Sequence, residues 1–262
     1  MNQVMQILIT NFAILMACML VLWLVSIPLR DVSFVDSFWA IGFLIVAAVT
    51  YQLSGGDTGR RQLLLLITAI WSLRLGAYLF LRWRREGPDG RYVALLSKAE
   101  GNVHLASLVK VFLLQGPILW IVSLPVQLGQ IEAEPLALGA LAWIGATLAA
   151  IGIFFEAVGD HQMAWFKSRP ENAGMVMDQG LWRYTRHPNY FGDTCVWWGL
   201  YLIAAETSLG IWSLVGPALL TWTLLKWSGA ALLERRLKRS RPGYVEYLER
   251  TSSFIPWPPK GR

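Results

Sequence analysis

Long apolar segments alternate with short polar segments along most of this 262-residue chain. Each apolar segment is about 20 residues long, the length that an α-helix needs to cross the hydrocarbon core of a bilayer. The pattern predicts seven spans, at about 5–28, 33–53, 62–83, 104–128, 135–157, 190–209 and 211–233. We therefore expect an all-α, polytopic membrane protein built as a bundle of seven transmembrane helices, with polar loops and a polar tail.

Composition supports this prediction. Hydrophobic residues make up 55% of the chain and charged residues only 15%, which is too apolar for a soluble domain of this size. No basic recognition motif is present, so we expect membrane lipids as partners and no nucleic acid. The two cysteines, Cys18 and Cys195, lie in separate apolar segments, and we expect neither a disulfide framework nor a metal site.

The basic residues are concentrated in three polar segments: the linkers after the third and fifth spans and the C-terminal tail. The positive-inside rule then places the C-terminus in the cytoplasm and the N-terminus outside. Arg60 and Arg61 fall on the opposite side and do not fit this orientation. The first apolar run begins near Ile7 with no preceding Lys or Arg, which indicates a retained span and not a signal peptide. We expect a bacterial inner-membrane protein.

Small residues recur along the fifth predicted span. Ala142, Ala146 and Ala150 stand at every fourth position, with Gly145 and Gly152 nearby. This spacing predicts a helix face against which a neighbouring helix packs closely.

Ionisable residues within the predicted spans are candidates for function, because each is costly to place in hydrocarbon. Asp36 lies one turn into the second span, and Arg74 lies past the middle of the third span with Tyr78 one turn further on. Two interpretations stay open. Asp36 and Arg74 form a buried ion pair that fixes the helix register, or Asp36 is a catalytic acid.

A polar stretch leads into an apolar segment at residues 180–193, Gly-Leu-Trp-Arg-Tyr-Thr-Arg-His-Pro-Asn-Tyr-Phe-Gly-Asp. Pro188 suits the first turn of a helix, where its missing N–H would have had no partner. The basic residues before it therefore lie at a helix N-terminus, which favours an anion. A basic loop that only serves membrane topology is the alternative.

Several motifs resemble the steroid 5α-reductase C-terminal domain superfamily, which includes sterol reductases and isoprenylcysteine carboxyl methyltransferases. They are Arg-His-Pro-Asn-Tyr-Phe-Gly-Asp at 186–193, Glu-Arg-Arg at 234–236, Pro-Gly-Tyr-x-x-Tyr at 242–247 and Ile-Pro-Trp-Pro at 255–258. The resemblance covers roughly residues 150–258. The first half resembles the superfamily mainly at Val-Asp-Ser-Phe-Trp, 35–39, and Trp-Ser-Leu-Arg-Leu-Gly, 71–76.

The resemblance implies a single reductase domain over residues 1–262, with 1–130 on the lipid and substrate side and 131–262 binding NADPH. No Gly-x-Gly-x-x-Gly follows a strand, so we expect no Rossmann domain. The candidate cofactor residues supply cations for phosphates, acceptors for ribose hydroxyls and rings for stacking. They are Asp160, Lys167, Arg169, Arg183, Tyr184, Arg186, His187, Asn189, Asp193, Glu234, Arg235, Arg236, Tyr244 and Tyr247.

The implied reaction is hydride transfer to a hydrophobic enone, with the Δ4 double bond of a 3-oxo steroid as the expected acceptor. Related steroid reductases use a glutamate on the second span with a tyrosine on the third. Asp36 stands at the position of that acid, whereas Trp71 stands at the position of the tyrosine. Tyr78, on the same helical face, is the nearest hydroxyl and is the second catalytic candidate. We expect a monomer whose substrate enters from the bilayer.

Two other functions stay open. Methyltransferases that use S-adenosylmethionine share Arg-His-Pro-x-Tyr and the acidic-basic tail motif. Their sulfonium cofactor carries no phosphate, so the many arginines favour the reductase, although membrane topology selects for the same charges. The third possibility is a non-catalytic role in lipid binding or assembly.

Overall fold

The computed structural model describes residues 2–227, 234 and 237–260, and all regular elements among them are helices. The α-helices are α1 Gln3–Leu29, α2 Val35–Leu53, α3 Thr58–Glu86, α4 Gly90–Leu96, α5 Val103–Val122, α6 Leu124–Leu128, α7 Ala140–Lys167, α8 Pro188–Ala204, α9 Val215–Trp222 and α10 Tyr244–Arg250. Helix α5 contains a π-helical turn at Leu108–Phe112, and α9 continues into another at Thr223–Trp227. Short 3₁₀ turns occupy Pro170–Asn172, Gly180–Arg183 and Gly210–Leu214.

The all-α prediction is confirmed for the described residues, which include five helices long and apolar enough to cross a membrane. These are α1, α2, α3, α5 and α7, which correspond to the first five predicted spans with shifted ends. The chain is therefore a membrane protein with several transmembrane helices.

The count of seven spans is not confirmed. Helix α8 has the expected position but only 17 residues. The seventh predicted span corresponds to a 3₁₀ turn, the eight-residue helix α9 and a π-helical turn, and residues 228–233 lie outside the described part.

The described residues form two compact units. The first comprises residues 2–143 and Leu200–Gly216, and its core is built on the packing of α2 against α3. Trp71, at the position of the superfamily's tyrosine, is fully buried there and meets Phe43 edge to face at 5.6 Å. Trp71 thus fills the core.

A buried polar chain joins α1, α2 and α6 inside this unit. The Asn11 amide donates to the Thr50 hydroxyl at 2.8 Å and to the Gln127 side-chain oxygen at 3.0 Å. The Gln127 amide in turn donates to the Ser123 hydroxyl at 2.7 Å. Hydrogen bonds between apolar helices orient the helices with respect to one another, since sliding would leave these groups unsatisfied.

The second unit comprises Ile144–Gly199 and the described residues after Gly216. In it, α7 and α8 pack with their backbones in contact. A Cβ on Gly199 would lie 2.8 Å from the Ala149 nitrogen, and a Cβ on Gly192 would lie 2.6 Å from the Glu156 nitrogen. The predicted close approach is therefore present, but the contact face differs from the expected one because Ala150 is exposed.

Replacing Gly199 with valine is expected to destabilise the protein by about 1–3 kcal/mol, because the side chain would meet helix backbone that cannot yield without separating α7 from α8. Thermal unfolding in one detergent measures the change. Ala150→Val is the matched control, since that position is exposed. Equal unfolding midpoints for Gly199→Val and the parent protein would contradict the proposed packing.

Candidate functional site

The first unit carries a polar cluster at the start of α2, centred on Asp36. Its carboxylate accepts a hydrogen bond from the Tyr92 hydroxyl at 2.5 Å and pairs with the Arg91 guanidinium at 2.8 Å. The Gln115 amide donates to the same Tyr92 oxygen at 2.9 Å. Helices α2, α4 and α5 therefore bring together a carboxylate, a phenol, a cation and an amide.

Helix α4 presents two of these groups although none of its residues is fully buried, Tyr92 being half-buried. Asp89 caps its N-terminus by accepting from the Arg91 N–H, and its carboxylate also pairs with the Arg91 guanidinium at 2.9 Å. The Asp89 N–H donates to the Ser33 hydroxyl at 2.7 Å, which ties α4 to the segment before α2. Polar contacts thus contribute much of what holds α4 beside Asp36.

The electrostatics of the cluster keep Tyr92 neutral. Burial, the negative charge of Asp36 and the hydrogen bond to it raise the pKa of the Tyr92 phenol well above its ordinary value. Burial acts to raise the pKa of Asp89, but hydrogen bonds from Arg91 and its charge outweigh this and lower it. The result is a protonated phenol held against a carboxylate, which is a hydrogen-bond donor ready to be redirected.

Sequence reasoning missed Arg91, Tyr92 and Gln115. The predicted companions of Asp36 were Arg74 and Tyr78, both of which lie half-buried in α3. The structure places a hydroxyl and a cation from α4 on the Asp36 carboxylate. The one signal for α4 was the Asp-Gly-Arg-Tyr sequence at 89–92, which offers a helix N-cap.

The second unit carries the 180–193 stretch. Pro188 begins α8, as predicted. Just before it, the Arg186 guanidinium and the His187 ring both contact the Glu234 carboxylate, at 2.8 and 3.0 Å. Arg186 also donates to the carbonyl oxygens of Leu248 and Thr251 at 2.8 and 3.0 Å. These contacts connect the loop before α8 to the C-terminal segment.

Burial acts to raise the pKa of Glu234, but the hydrogen bond from His187 and the charge of Arg186 outweigh it and lower the pKa. Glu234 therefore stays ionised between its two partners. Tyr190 completes this group by stacking on the His187 ring, with ring centroids 5.4 Å apart.

Other predicted cofactor residues lie in the second unit with different surroundings. The Asn189 amide donates to the buried Asp160 carboxylate at 3.3 Å, so these two predicted cofactor residues are brought together.

The Tyr247 hydroxyl donates to the Trp182 carbonyl at 2.5 Å, and its ring lies 5.7 Å from that of Tyr244. Burial raises the pKa of Tyr244 to about 12 and that of Tyr247 further. Both tyrosines are buried, and Tyr247 joins α10 to the loop before α8.

The predicted phosphate-binding cations are mostly at the surface. Lys167, Arg169, Arg183 and the Tyr184 side chain are exposed, and the Arg169 guanidinium lies 3.6 Å above the Trp165 ring. Asp193 is half-buried in the second turn of α8. Arg235 and Arg236 lie outside the described residues. The described part contains no group of three metal-ligating side chains.

Comparison with known proteins identifies the family. The family model described as "Protein of unknown function (DUF1295)" matches residues 22–251, most of the chain. The chain belongs to the DUF1295 family. DUF1295 is related to the steroid 5α-reductases, which agrees at the level of family with the motifs of the sequence.

The chain is also similar to a protein of a yeast. The uncharacterized protein C594.04c of Schizosaccharomyces pombe is 24% identical over 270 residues, which cover 90% of this chain and 76% of that protein. No solved structure matches the chain at a significant level.

Proposed function

We propose that this DUF1295 protein is an NADPH-dependent membrane reductase of a hydrophobic enone, with a 3-oxo-Δ4 steroid or steroid-like lipid as the substrate class. The observation that carries the proposal is the hydrogen-bonded chain of Asp36, Tyr92 and Gln115 at the polar end of an apolar helix. Hydride addition to an enone leaves negative charge on the carbonyl oxygen, and a fixed, neutral hydroxyl stabilises that charge.

In this proposal Tyr92 turns its hydroxyl proton from Asp36 toward the substrate carbonyl. Gln115, which donates to the phenol oxygen, stabilises negative charge that develops there. Asp36 orients the phenol before the substrate binds, and Arg91 balances the charge of Asp36. Tyr78 on α3 stays a second candidate donor, as the sequence suggests.

The second unit provides the groups that a dinucleotide requires. Its exposed cations, Lys167, Arg169 and Arg183, suit phosphates, and the pair formed by Asn189 and Asp160 suits ribose hydroxyls or a carboxamide. When bound, NADPH supplies the hydride. The excess of cations over what one pyrophosphate needs favours NADPH over NADH. We further propose seven spans with the C-terminus in the cytoplasm of a bacterial cell.

One observation favours a second candidate, a methyltransferase that uses S-adenosylmethionine. The guanidinium of Arg186, in the Arg-His-Pro motif, is committed to Glu234 and to two carbonyl oxygens of the chain itself. It therefore offers less to a phosphate than the sequence suggests. A cofactor without phosphates needs fewer such donors.

Cofactor binding by the detergent-purified protein tests the proposal. We expect NADPH to bind and Asn189→Ala to weaken that binding about tenfold, the effect of one hydrogen bond, with little change in thermal stability. Ser168→Ala is the matched control, since that exposed hydroxyl bonds only within its own turn. Fluorescence titration of the nicotinamide measures the affinity.

Two results of this titration are decisive. Binding of S-adenosylmethionine without binding of NADPH would replace the reductase by the methyltransferase. NADPH binding that is equal in Asn189→Ala and the parent protein would exclude Asn189 from the cofactor site and leave the reductase to be tested at Asp36.

A further inference from the structure

The segment after α10 is held in place by the loop that precedes α8. The Thr185 hydroxyl donates to the Phe254 carbonyl at 2.7 Å, and the backbone N–H of Trp257 donates to the Tyr184 carbonyl at 3.0 Å. These bonds fix the backbone of residues 252–257, which we call the C-terminal strap, and its side chains therefore point in set directions.

Two large apolar side chains of the strap face outward. Ile255 is 65% exposed and Trp257 is 70% exposed, more than any other large apolar side chain described in the second unit. A loose tail would bury such groups by folding back, but the fixed backbone keeps these two outside. Adjacent large apolar groups held in this way mark a surface that contacts an apolar phase or partner.

A row of aromatic rings connects the strap to α7, a candidate membrane span. The Phe254 ring lies 6.0 Å from that of Phe191 in the first turn of α8. Phe191 lies 5.1 Å from Phe155, which belongs to the candidate membrane span α7. The next residue of that span, Phe154, is 56% exposed, as expected for a lipid-facing side chain. Aromatic rings thus join the strap to a helix that is long and apolar enough to cross a membrane.

We propose that the C-terminal strap is an interfacial anchor, with Ile255 and Trp257 inserted into the membrane–water boundary beside α7. Tryptophan favours this boundary because its ring is apolar and its N–H stays near water. The exposed Lys260 lies shortly after Trp257 in the chain, so its long side chain can place the ammonium beside lipid phosphates. The partner is the bilayer itself. This inference does not depend on the proposed reductase activity.

The anchor would also stabilise the loop before α8 that contains Arg186, which we call the Arg186 loop. Arg186 donates two of its hydrogen bonds to the carbonyl oxygens of Leu248 and Thr251, directly before the strap. Lipid contact that orders the strap therefore orders those acceptors. We expect the Arg186 loop to be more protected from proteolysis in a bilayer than in a short-chain detergent.

Site-specific quenching tests the anchor. Trp257→Cys, prepared with Cys18→Ala and Cys195→Ala, is labelled with a small fluorophore and placed in phosphatidylcholine–phosphatidylglycerol nanodiscs. Lipids carrying a nitroxide near the top of the acyl chain should quench this probe at least about threefold more than a probe at Glu246→Cys. Glu246 is the matched control, an exposed carboxylate on α10. Aqueous iodide should show the reverse order.

Equal quenching of the two probes by iodide, with no effect of the lipid nitroxide, would overturn the proposal. Protection from both quenchers, together with a dimeric mass, would assign the surface to a second copy of the chain and would also overturn it. Ile255→Cys repeats the measurement at an independent position, so poor folding of one variant does not decide the outcome. Each variant is used only where its elution matches that of the parent protein.

Discussion

Replacing Arg60 with alanine is expected to destabilise the protein by about 2–4 kcal/mol. The Arg60 side chain is fully buried in the first turn of α3, and its guanidinium donates to main-chain carbonyls of the 129–135 loop. It bonds the Gly129 oxygen at 3.1 Å and the Glu132 oxygen at 2.6 Å. Alanine would remove these donors from a buried loop and leave a cavity.

Thermal unfolding in one detergent measures this effect, and the expected fall of the midpoint is about 5–10 °C for a chain of this size. Arg60→Lys should recover only part of the loss, since an ammonium cannot bridge carbonyls as a planar guanidinium does. Arg84→Ala is the control, because Arg84 is exposed at the end of the same helix. If Arg60→Ala unfolds with the midpoint of Arg84→Ala, the buried guanidinium has no structural role.

Arg60 also shows why the positive-inside rule did not fit the two arginines before the third predicted span. That rule treats each arginine as a surface charge, whereas Arg60 satisfies carbonyl oxygens inside the protein. Arg61 likewise donates to the Tyr51 carbonyl and lies 4.3 Å from the centre of the Tyr51 ring. Helix α3 begins at Thr58, before the predicted start of the third span at residue 62, so both arginines lie in its first turn and not in a polar loop.

The long helices were predictable because membrane spans are set by length and apolarity, both of which are local properties of the sequence. The close packing of α7 on α8 was predictable only as a tendency. Its contact line passes through Ala149 and Gly152 and leaves Ala150 exposed, because the position of the neighbouring helix decides which small residues are covered. The sixth and seventh spans are not confirmed for another reason: helix α8 is short, and 3₁₀ and π-helical turns interrupt the next apolar run without changing its hydropathy.

The candidate site was predictable in its acids and less so in their partners. Asp36 was identified because an acid near the start of an apolar span is costly. Its partner Tyr92 is 56 residues away on a short helix whose sequence resembles an ordinary polar linker. Arg186 was predicted to bind phosphate because of its charge, but nothing in the sequence indicates that carbonyl oxygens of the tail accept hydrogen bonds from its guanidinium.

The decisive functional test is the pair Asp36→Asn and Tyr92→Phe. Each is expected to lower enone reduction by about 10²–10⁴-fold, the range for loss of a positioned acid–base group, while NADPH binding is retained. The two residues share one hydrogen bond, so we expect the double variant to lose little more than either single variant. Progesterone reduction with NADPH provides the rate, and nicotinamide fluorescence provides the binding.

A purely structural Asp36 gives a different pattern. Loss of the hydrogen bond that joins α2 to α4 would then lower the unfolding midpoint, and turnover per folded molecule would stay near that of the parent protein. Ser97→Ala is the control, since that hydroxyl lies at the end of α4 and bonds only within its own turn. Normal turnover in stable, cofactor-binding variants at both Asp36 and Tyr92 would exclude this cluster from catalysis, because loss of an acid–base group must lower the rate.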